Sequence, residues 1–338
     1  MSGVDYSPHQ RAPVRRASRT LARGWERSVV LAYRGASYTL ARVPLSLSEP
    51  LARLLFRSGY HVWPAKRRII EANASHILGL PSTHPSVRRL ARDIYGTYAR
   101  FALEVMRLPS LPADEPTRMM NLDAPDHERF VDHFERCRDE GRGVVVVSGH
   151  IGSIEVFAGA YALLGIPTYG LADDTAFPEL FETLNRSRAR WGVTIIPWRR
   201  LRHIFRVMRK PCLLGMVVDW GYRVDDIPVR LLDSWTTLPA GPAVLAARTG
   251  AALVPVVARR QPDGRYRPVM YDPIEVVDGS DAAIAAATQS IADALGDMVR
   301  QAPEQWYTFK PIWPASRAEA AELRERHAAI VASASTND

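Results

Sequence analysis

The segment VVVVSGHIGSIE, residues 144–155, determines both the fold and the chemistry that the sequence predicts. Its four consecutive valines are typical of a short strand that is buried on both faces. The glycines beside His150 allow the chain to turn sharply after that strand. The apolar residues 154–164 then indicate a helix that ends at Gly165. Open α/β sheets place their ligand sites where such a strand gives way to a helix.

Strands and helices continue to alternate beyond residue 165. Further runs with strand character lie at 168–171, 193–196, 212–218 and 252–257, with one or two more within 267–277. Helical patterns separate these runs. We therefore predict an α/β domain over residues 126–315, with a largely parallel central sheet flanked by helices. A C-terminal helix and tail are expected over residues 316–338.

The N-terminal third has a different texture. Residues 1–16 are polar and arginine-rich and are predicted to be disordered, whereas apolar residues recur at helical spacing across residues 17–108. Residues 1–110 contain 18 Lys and Arg against 6 Asp and Glu, although the whole chain carries a net charge of only +8. We predict that residues 17–125 form a basic helical extension that docks on an anionic membrane surface.

Five aromatic residues are candidates for contact with that membrane: Trp25, Tyr33, Phe56, Tyr60 and Trp63. An alternative interpretation is a helical cap over the sheet whose arginines are merely solvated. Basic charge also suits nucleic acid, but no nucleic-acid motif is present, and we expect no such partner.

Several classes of protein are disfavoured. Two cysteines, Cys137 and Cys212, cannot form a disulfide framework and suit a reducing compartment. No window of about 18 residues is free of charges and helix breakers, so no transmembrane helix is predicted. Dinucleotide, P-loop and nucleophile-elbow motifs are absent from the sequence, and no metal-ligand spacing occurs. We expect neither a metal nor a cofactor.

The spacing His150-x4-Glu155 suggests acid–base chemistry. If a helix begins just after His150, Glu155 lies in its first or second turn, where the helix dipole favours a carboxylate and a neutral imidazole. Such an imidazole can take a proton from a hydroxyl, and main-chain amides at the helix start can bind an oxyanion. These parts suit acyl transfer from a thioester to an alcohol. The alternative is a strand-end histidine that caps the helix.

His150-Ile-Gly-Ser-Ile-Glu155 resembles the H-x4-D/E motif of the lysophospholipid acyltransferase superfamily. The resemblance is closest to the bacterial branch that includes lipid A lauroyl/myristoyl and phosphatidylinositol mannoside acyltransferases, where tryptophan is usual in place of Ile154. Three further segments follow in the order of that branch: 214–219, 237–255 and 303–306. Gly221 stands where the branch has a second acid. The resemblance covers residues 20–313.

The resemblance implies a glycerol-3-phosphate acyltransferase-like fold and a role for each matching residue. His150 would be the general base and Glu155 the group that orients it and raises its basicity. Asp219 resembles a second active-site acid that partners the histidine; its alternative is a strand-end residue capping the next turn. Arg199, Arg200 and Arg223 are candidates for holding a substrate phosphate, and the alternative is that each is a surface charge. Thr237 and Gly241 lie in the segment 237–242, which would shape the wall of the substrate pocket; the alternative is simple loop packing.

We therefore expect a peripheral acyltransferase at the cytoplasmic face of the plasma (inner) membrane. Its donor would be acyl-CoA or acyl carrier protein, and its acceptor a hydroxyl of a membrane lipid or glycolipid. Two other functions remain open: a hydrolase that uses the same histidine on water, and a non-catalytic lipid-binding relative.

Overall fold

A computed structural model describes residues 16–174 and 178–335, and the side chains of residues 27–174 and 178–332. Residues 1–15, which include nearly all of the segment predicted to be disordered, lie outside this description.

The centre of the molecule is a six-stranded sheet with the strand order β3-β2-β4-β1-β7-β8. The pairs β3–β2, β2–β4, β4–β1 and β1–β7 are parallel, and β7–β8 is antiparallel. The strands are β1 Val144–Ser148, β2 Thr168–Ala172, β3 Val193–Pro197, β4 Leu213–Val217, β7 Ala252–Arg260 and β8 Tyr266–Met270. The predicted α/β fold with a largely parallel sheet is therefore confirmed.

Both faces of the sheet are covered. Val145 and Val147 pack into a cluster with Leu295, and Val144 and Val146 pack on the other face into a cluster with Phe157. The helices of the α/β part are α6 Pro125–Asp139, α7 Ile154–Leu163, α8 Pro178–Ala189, α9 Leu201–Val207, α10 Gly241–Thr249 and α11 Asp281–Gln301; α12 Arg317–Ser335 follows. The valine run is buried throughout because helices flank both faces.

A hairpin of two antiparallel strands was not predicted. Strands β5 Ile227–Leu231 and β6 Ser234–Leu238 are joined at Leu232 and Asp233, which have φ angles of 50° and 64°. Two-residue hairpin turns of this left-handed kind usually contain Asn or Gly. Leu232 gives no such signal, so the turn could not be recognised in the sequence.

Four long helices precede the sheet and confirm the predicted helical character of the N-terminal region. They are α1 Arg16–Arg42, α2 Leu45–Val62, α3 Pro64–Leu78 and α4 Pro85–Arg107; the short α5 Glu115–Met119 follows. Among the residues that the structure covers, none of the helices is both long enough and apolar enough to span a membrane.

Ion pairs attach these helices to the α/β part. Arg100 of α4 donates to Glu49 of α2 and to Glu104, at 2.6 Å in each case. The other carboxylate oxygen of Glu104 accepts a hydrogen bond of 2.7 Å from the hydroxyl of Tyr266 in β8. Arg260 of β7 lies 3.9 Å from Glu49. The N-terminal helices are thus held directly against the edge of the sheet.

Candidate active site

The register of two neighbouring strands brings the candidate histidine and Asp219 together. Strands β1 and β4 are parallel neighbours in which Ser148 is aligned with Val217. His150 and Asp219 each follow two residues later, so both leave the sheet at the same carboxyl edge. This edge is where open α/β sheets bind ligands.

Asp219 binds His150 through two hydrogen bonds. The imidazole Nδ1 lies 2.6 Å from Oδ1 of Asp219, and the main-chain N–H of His150 donates to Oδ2 at 2.8 Å. The indole N–H of Trp306 donates to the same Oδ2 at 2.7 Å. The side chain of Asp219 is 0% exposed, so three protein groups take the place of water around this carboxylate.

The segment that carries Trp306 is attached to the histidine loop by main-chain hydrogen bonds. The N–H of Tyr307 donates to the carbonyl of His150 at 2.8 Å, and the N–H of Gly152 donates to the carbonyl of Gln305 at 3.2 Å. Residues 305–307 therefore lie alongside the histidine loop like a short antiparallel strand. This pairing places the indole of Trp306 against Asp219.

The glycines beside His150 are needed for this packing. A Cβ atom on Gly149 would lie 2.8 Å from a methyl group of Leu295 and 3.1 Å from Oδ2 of Asp219. Gly152 has a φ of 60°, and a Cβ there would lie 1.9 Å from the carbonyl oxygen of Ala258. A side chain at either position would displace the loop that holds the imidazole.

The electrostatics of the pair are those of a base and its supporting acid. Burial favours neutral His150, but the charge of Asp219 and the hydrogen bond to it outweigh burial and raise the pKa of the imidazole above its usual value. For Asp219, burial alone would raise the pKa. The charge of His150 and the donated hydrogen bonds outweigh it, so the pKa of Asp219 is lowered.

The imidazole remains accessible, because the side chain of His150 is 35% exposed. The ring of Trp220 stands edge-on to it, with 5.3 Å between the ring centroids. The ammonium of Lys310 lies 5.0 Å from the centroid of the Trp220 ring and lowers the pKa of His150 by charge repulsion, an effect smaller than that of Asp219. The accessible side of the site therefore carries an aromatic ring and a cation.

Glu155 does not contact the imidazole. It lies in the first turn of α7, as predicted, but accepts two hydrogen bonds from Arg188 of α8, at 2.9 and 2.5 Å. The expected arrangement, in which Glu155 orients His150, is corrected by the structure: Asp219 occupies Nδ1. Glu155 instead joins α7 to α8 through a largely buried ion pair.

The main-chain N–H groups at this turn already donate hydrogen bonds within the protein. The N–H groups of His150, Ile151, Gly152 and Ser153 donate to Asp219 and to the carbonyls of Gly149, Gln305 and Ala258, respectively. The Ser153 side chain caps the N–H of Val156. The expectation that amides at the helix start bind an oxyanion therefore does not hold for residues 150–153.

The predicted substrate-binding residues differ in exposure and in their partners. Arg199 pairs with Asp174 at 2.8 Å, and Arg200 is exposed just before α9. The hydroxyl of Thr237 is buried and bonds both the carbonyl and the N–H of Arg223, at 2.7 and 3.2 Å. This hydroxyl holds the loop at Arg223, because it already donates one hydrogen bond to that residue and accepts another from it. Gly241 begins α10.

Some of the predicted membrane-contact aromatics are exposed and others are buried. Trp63 is 59% exposed, and Phe56 is half-buried against Tyr98. Tyr33 and Tyr60 are buried, so the prediction that they contact a membrane is wrong. The hydroxyl of Tyr33 donates to the carbonyl of Val105 at 2.9 Å. The side chain of Trp25 lies outside the described residues.

Comparison with known proteins first establishes the class: the relatives are acyltransferases, and the enzyme is an O-acyltransferase. The chain belongs to the family described as bacterial lipid A biosynthesis acyltransferase, whose model matches residues 23–314. The resemblance to this superfamily is confirmed.

Three relatives illustrate the range of the family. The chain is 26% identical to a phosphatidylinositol mannoside acyltransferase of Mycolicibacterium smegmatis over 84% of this chain and 92% of the relative. It is 25% identical to the protein of the same name in Mycobacterium tuberculosis strain H37Rv, over 76% and 81%. A lipid A biosynthesis lauroyltransferase of Escherichia coli is 25% identical over 52% and 58%.

Three residues of the site were not identified from the sequence. Trp306 donates to Asp219, but the sequence indicates it only as the last residue of the family-like segment 303–306. Arg188 gives no sequence signal, because it is one of many arginines and lies 33 positions from Glu155. Lys310 could have been noticed as one of only three lysines in the chain.

The role of the Glu155–Arg188 pair can be tested by stability. Glu155→Ala should lower the free energy of unfolding by about 3 kcal/mol, because it leaves the Arg188 guanidinium buried without its carboxylate. The double variant Glu155→Ala/Arg188→Met should recover most of that loss. Urea denaturation of both variants measures the difference.

The same double variant separates a structural role from an orienting one. Since Glu155 does not touch His150, the pH–rate profile of the double variant should have the same acid limb as that of the unmodified enzyme. A displaced acid limb would show that Glu155 does act on the imidazole.

Proposed function

We propose that this enzyme transfers a fatty acyl group from a thioester donor, acyl-CoA or acyl carrier protein, to a hydroxyl of a membrane lipid or glycolipid. His150 acts as the general base and Asp219 as the carboxylate that holds it. The names of the relatives favour a glycolipid acceptor, since two act in phosphatidylinositol mannoside acylation and one in lipid A biosynthesis.

One observation carries this proposal: Nδ1 of His150 lies 2.6 Å from Oδ1 of the buried Asp219. A carboxylate at Nδ1 keeps the proton on that nitrogen, so the lone pair of Nε2 is free to accept a proton. The structure gives Nε2 no hydrogen-bond partner among the described residues. The imidazole is thus prepared for a hydroxyl that approaches from the accessible side.

The reaction then needs no covalent intermediate on the protein. The acceptor hydroxyl gives its proton to Nε2 of His150 as its oxygen attacks the thioester carbonyl carbon. The resulting tetrahedral oxyanion collapses, the carbon–sulfur bond breaks, and the imidazolium returns the proton to the leaving thiolate. Asp219 stabilises the transient imidazolium. The ammonium of Lys310 lies 5.0 Å from the centroid of the Trp220 ring, which itself contacts the imidazole.

The acceptor would be reached by docking on the membrane surface. Exposed apolar side chains recur at helical spacing on α2, at Leu47, Leu51, Leu54 and Leu55, and continue to Trp63. A helix that presents leucines to solvent beside arginines suits a membrane interface. We propose that this leucine face is the docking surface, in place of the buried Tyr33 and Tyr60. It would meet the cytoplasmic leaflet.

The reaction class is tested by product analysis. The enzyme, given acyl-CoA and detergent-dispersed phosphatidylinositol mannoside, should yield an acylated acceptor detected by mass spectrometry. His150→Ala should reduce this transfer at least about 1,000-fold, because no other described group replaces the base. Circular dichroism checks that the variant is folded.

Two outcomes would overturn the proposal. Free fatty acid released in place of an acylated acceptor would indicate a hydrolase that uses the same histidine on water. Equal transfer by His150→Ala would exclude the mechanism. The same assay with acylated acyl carrier protein in place of acyl-CoA identifies the preferred donor as the one that gives the faster transfer.

The docking surface makes a separate prediction. Leu51→Ser/Leu54→Ser should weaken binding to vesicles that contain phosphatidylglycerol by about tenfold or more, because each leucine loses part of the roughly 1.5–3 kcal/mol gained on burial. Val277→Ser/Val331→Ser, which changes two exposed valines elsewhere, is the matched control. Vesicle co-sedimentation measures both. An equal effect of the two pairs would contradict docking through α2.

A further inference from the structure

Beside the leucine face lies a groove that the acyl-transfer mechanism does not use. A cavity of about 420 Å³ lies between α2 and α4 and reaches the segment just before Trp306. A second cavity of about 390 Å³ adjoins it on α2 and shares Arg53 and Arg57 with it. Volumes of this size accommodate a small ligand.

Three arginines line the groove. Arg53 and Arg57 are one helical turn apart on α2, and Arg89 of α4 lines the same cavity. Arg57 is held by Asp93 at 3.0 Å and lies across α4 at Gly96, where a Cβ atom would be 2.9 Å from its Nε. Only a glycine lets this guanidinium approach the helix so closely.

The charge of the groove is not balanced from within. Its two carboxylates are Asp93, which pairs with Arg57, and Glu304. Among the side chains that the structure describes, the guanidinium groups of Arg53 and Arg89 have no ion pair or hydrogen bond. Glu49, in the adjoining cavity, is bound on its other side by Arg100 at 2.6 Å. The groove therefore keeps a positive charge and free donors.

The position of the groove indicates where its ligand comes from. Leu54, which is 69% exposed, lines the adjoining cavity together with Arg53. The arginines thus border the leucine face of α2, so a phosphate bound to them would have apolar surface beside it for acyl chains. Arginine guanidinium groups bind phosphate through paired hydrogen bonds. Arginines beside an apolar surface therefore fit a single molecule that carries both a phosphate and acyl chains.

We propose that the groove formed by Arg53, Arg57 and Arg89 is a specific site for the phosphate headgroup of one anionic membrane phospholipid. The inference deepens the docking proposed above, because it gives the diffuse attraction of a basic region a defined site. This lipid is distinct from the acceptor and the donor, which meet at His150.

A soluble short-chain lipid tests the site without a membrane. Dihexanoyl phosphatidylglycerol should bind the full-length enzyme saturably, with one lipid per chain, in calorimetric titration. Arg53→Ser/Arg89→Ser should weaken this binding at least about tenfold, because two charge-assisted contacts are lost. Arg68→Ser/Arg88→Ser removes the same charge from exposed residues outside the groove and should change the affinity by less than about twofold.

Three results would overturn the site. Equal losses in the two double variants would mean that the attraction is diffuse. Absence of saturable binding to the unmodified enzyme would mean that no site exists. Glycerol phosphate binding as tightly as the lipid would mean that the ligand is a free phosphate compound.

A companion variant separates this site from the proposed chemistry. His150→Ala should bind dihexanoyl phosphatidylglycerol as the unmodified enzyme does, whatever its effect on turnover. Arg53→Ser/Arg89→Ser should transfer acyl groups to detergent-dispersed acceptor at the normal rate. Loss of transfer in the arginine variant would place these arginines in the substrate site and overturn the inference.

Discussion

The structure depends on a buried carboxylate that is completely surrounded by protein donors. Asp219 has no exposed side-chain surface, and its charge is supported by the imidazole and N–H of His150 and by the indole of Trp306. Burying an ionised carboxylate is costly unless each oxygen is hydrogen-bonded. The donors come from the end of β1 and from a C-terminal segment, and Asp219 itself follows β4, so the site is complete only when all three parts are folded together.

The C-terminal segment also connects the site to the N-terminal helices. The amide of Asn73 in α3 donates to the carbonyl of Lys310 at 3.0 Å, and Lys66 donates to the carbonyl of Phe309 at 3.0 Å. The same short segment therefore carries Trp306 at one end and contacts the helical region at the other. This arrangement gives the N-terminal helices a defined position relative to His150.

The sequence was sufficient to predict those parts of the fold and of the site that depend on local pattern. The valine run, the glycines around His150 and the helix after it were predicted because burial, turn geometry and periodicity are local properties. The choice between Glu155 and Asp219 as partner of the imidazole was not, because it depends on which strand lies beside β1. Strand order follows from long-range packing, and Asp219 reaches His150 only because β4 is that neighbour.

The most direct test of the central claim is the pH–rate profile of Asp219→Asn. Two N–H groups donate to the Oδ2 position, so the amide oxygen should stay there and the NH₂ group should face Nδ1 of His150. The imidazole proton then moves to Nε2, and kcat/KM should fall at least about 100-fold. The raised pKa of His150 shifts the acid limb of the unmodified enzyme to higher pH, and loss of the Asp219 charge should move that limb to lower pH. An unchanged rate and an unchanged limb would contradict the proposal that Asp219 supports His150 as the base.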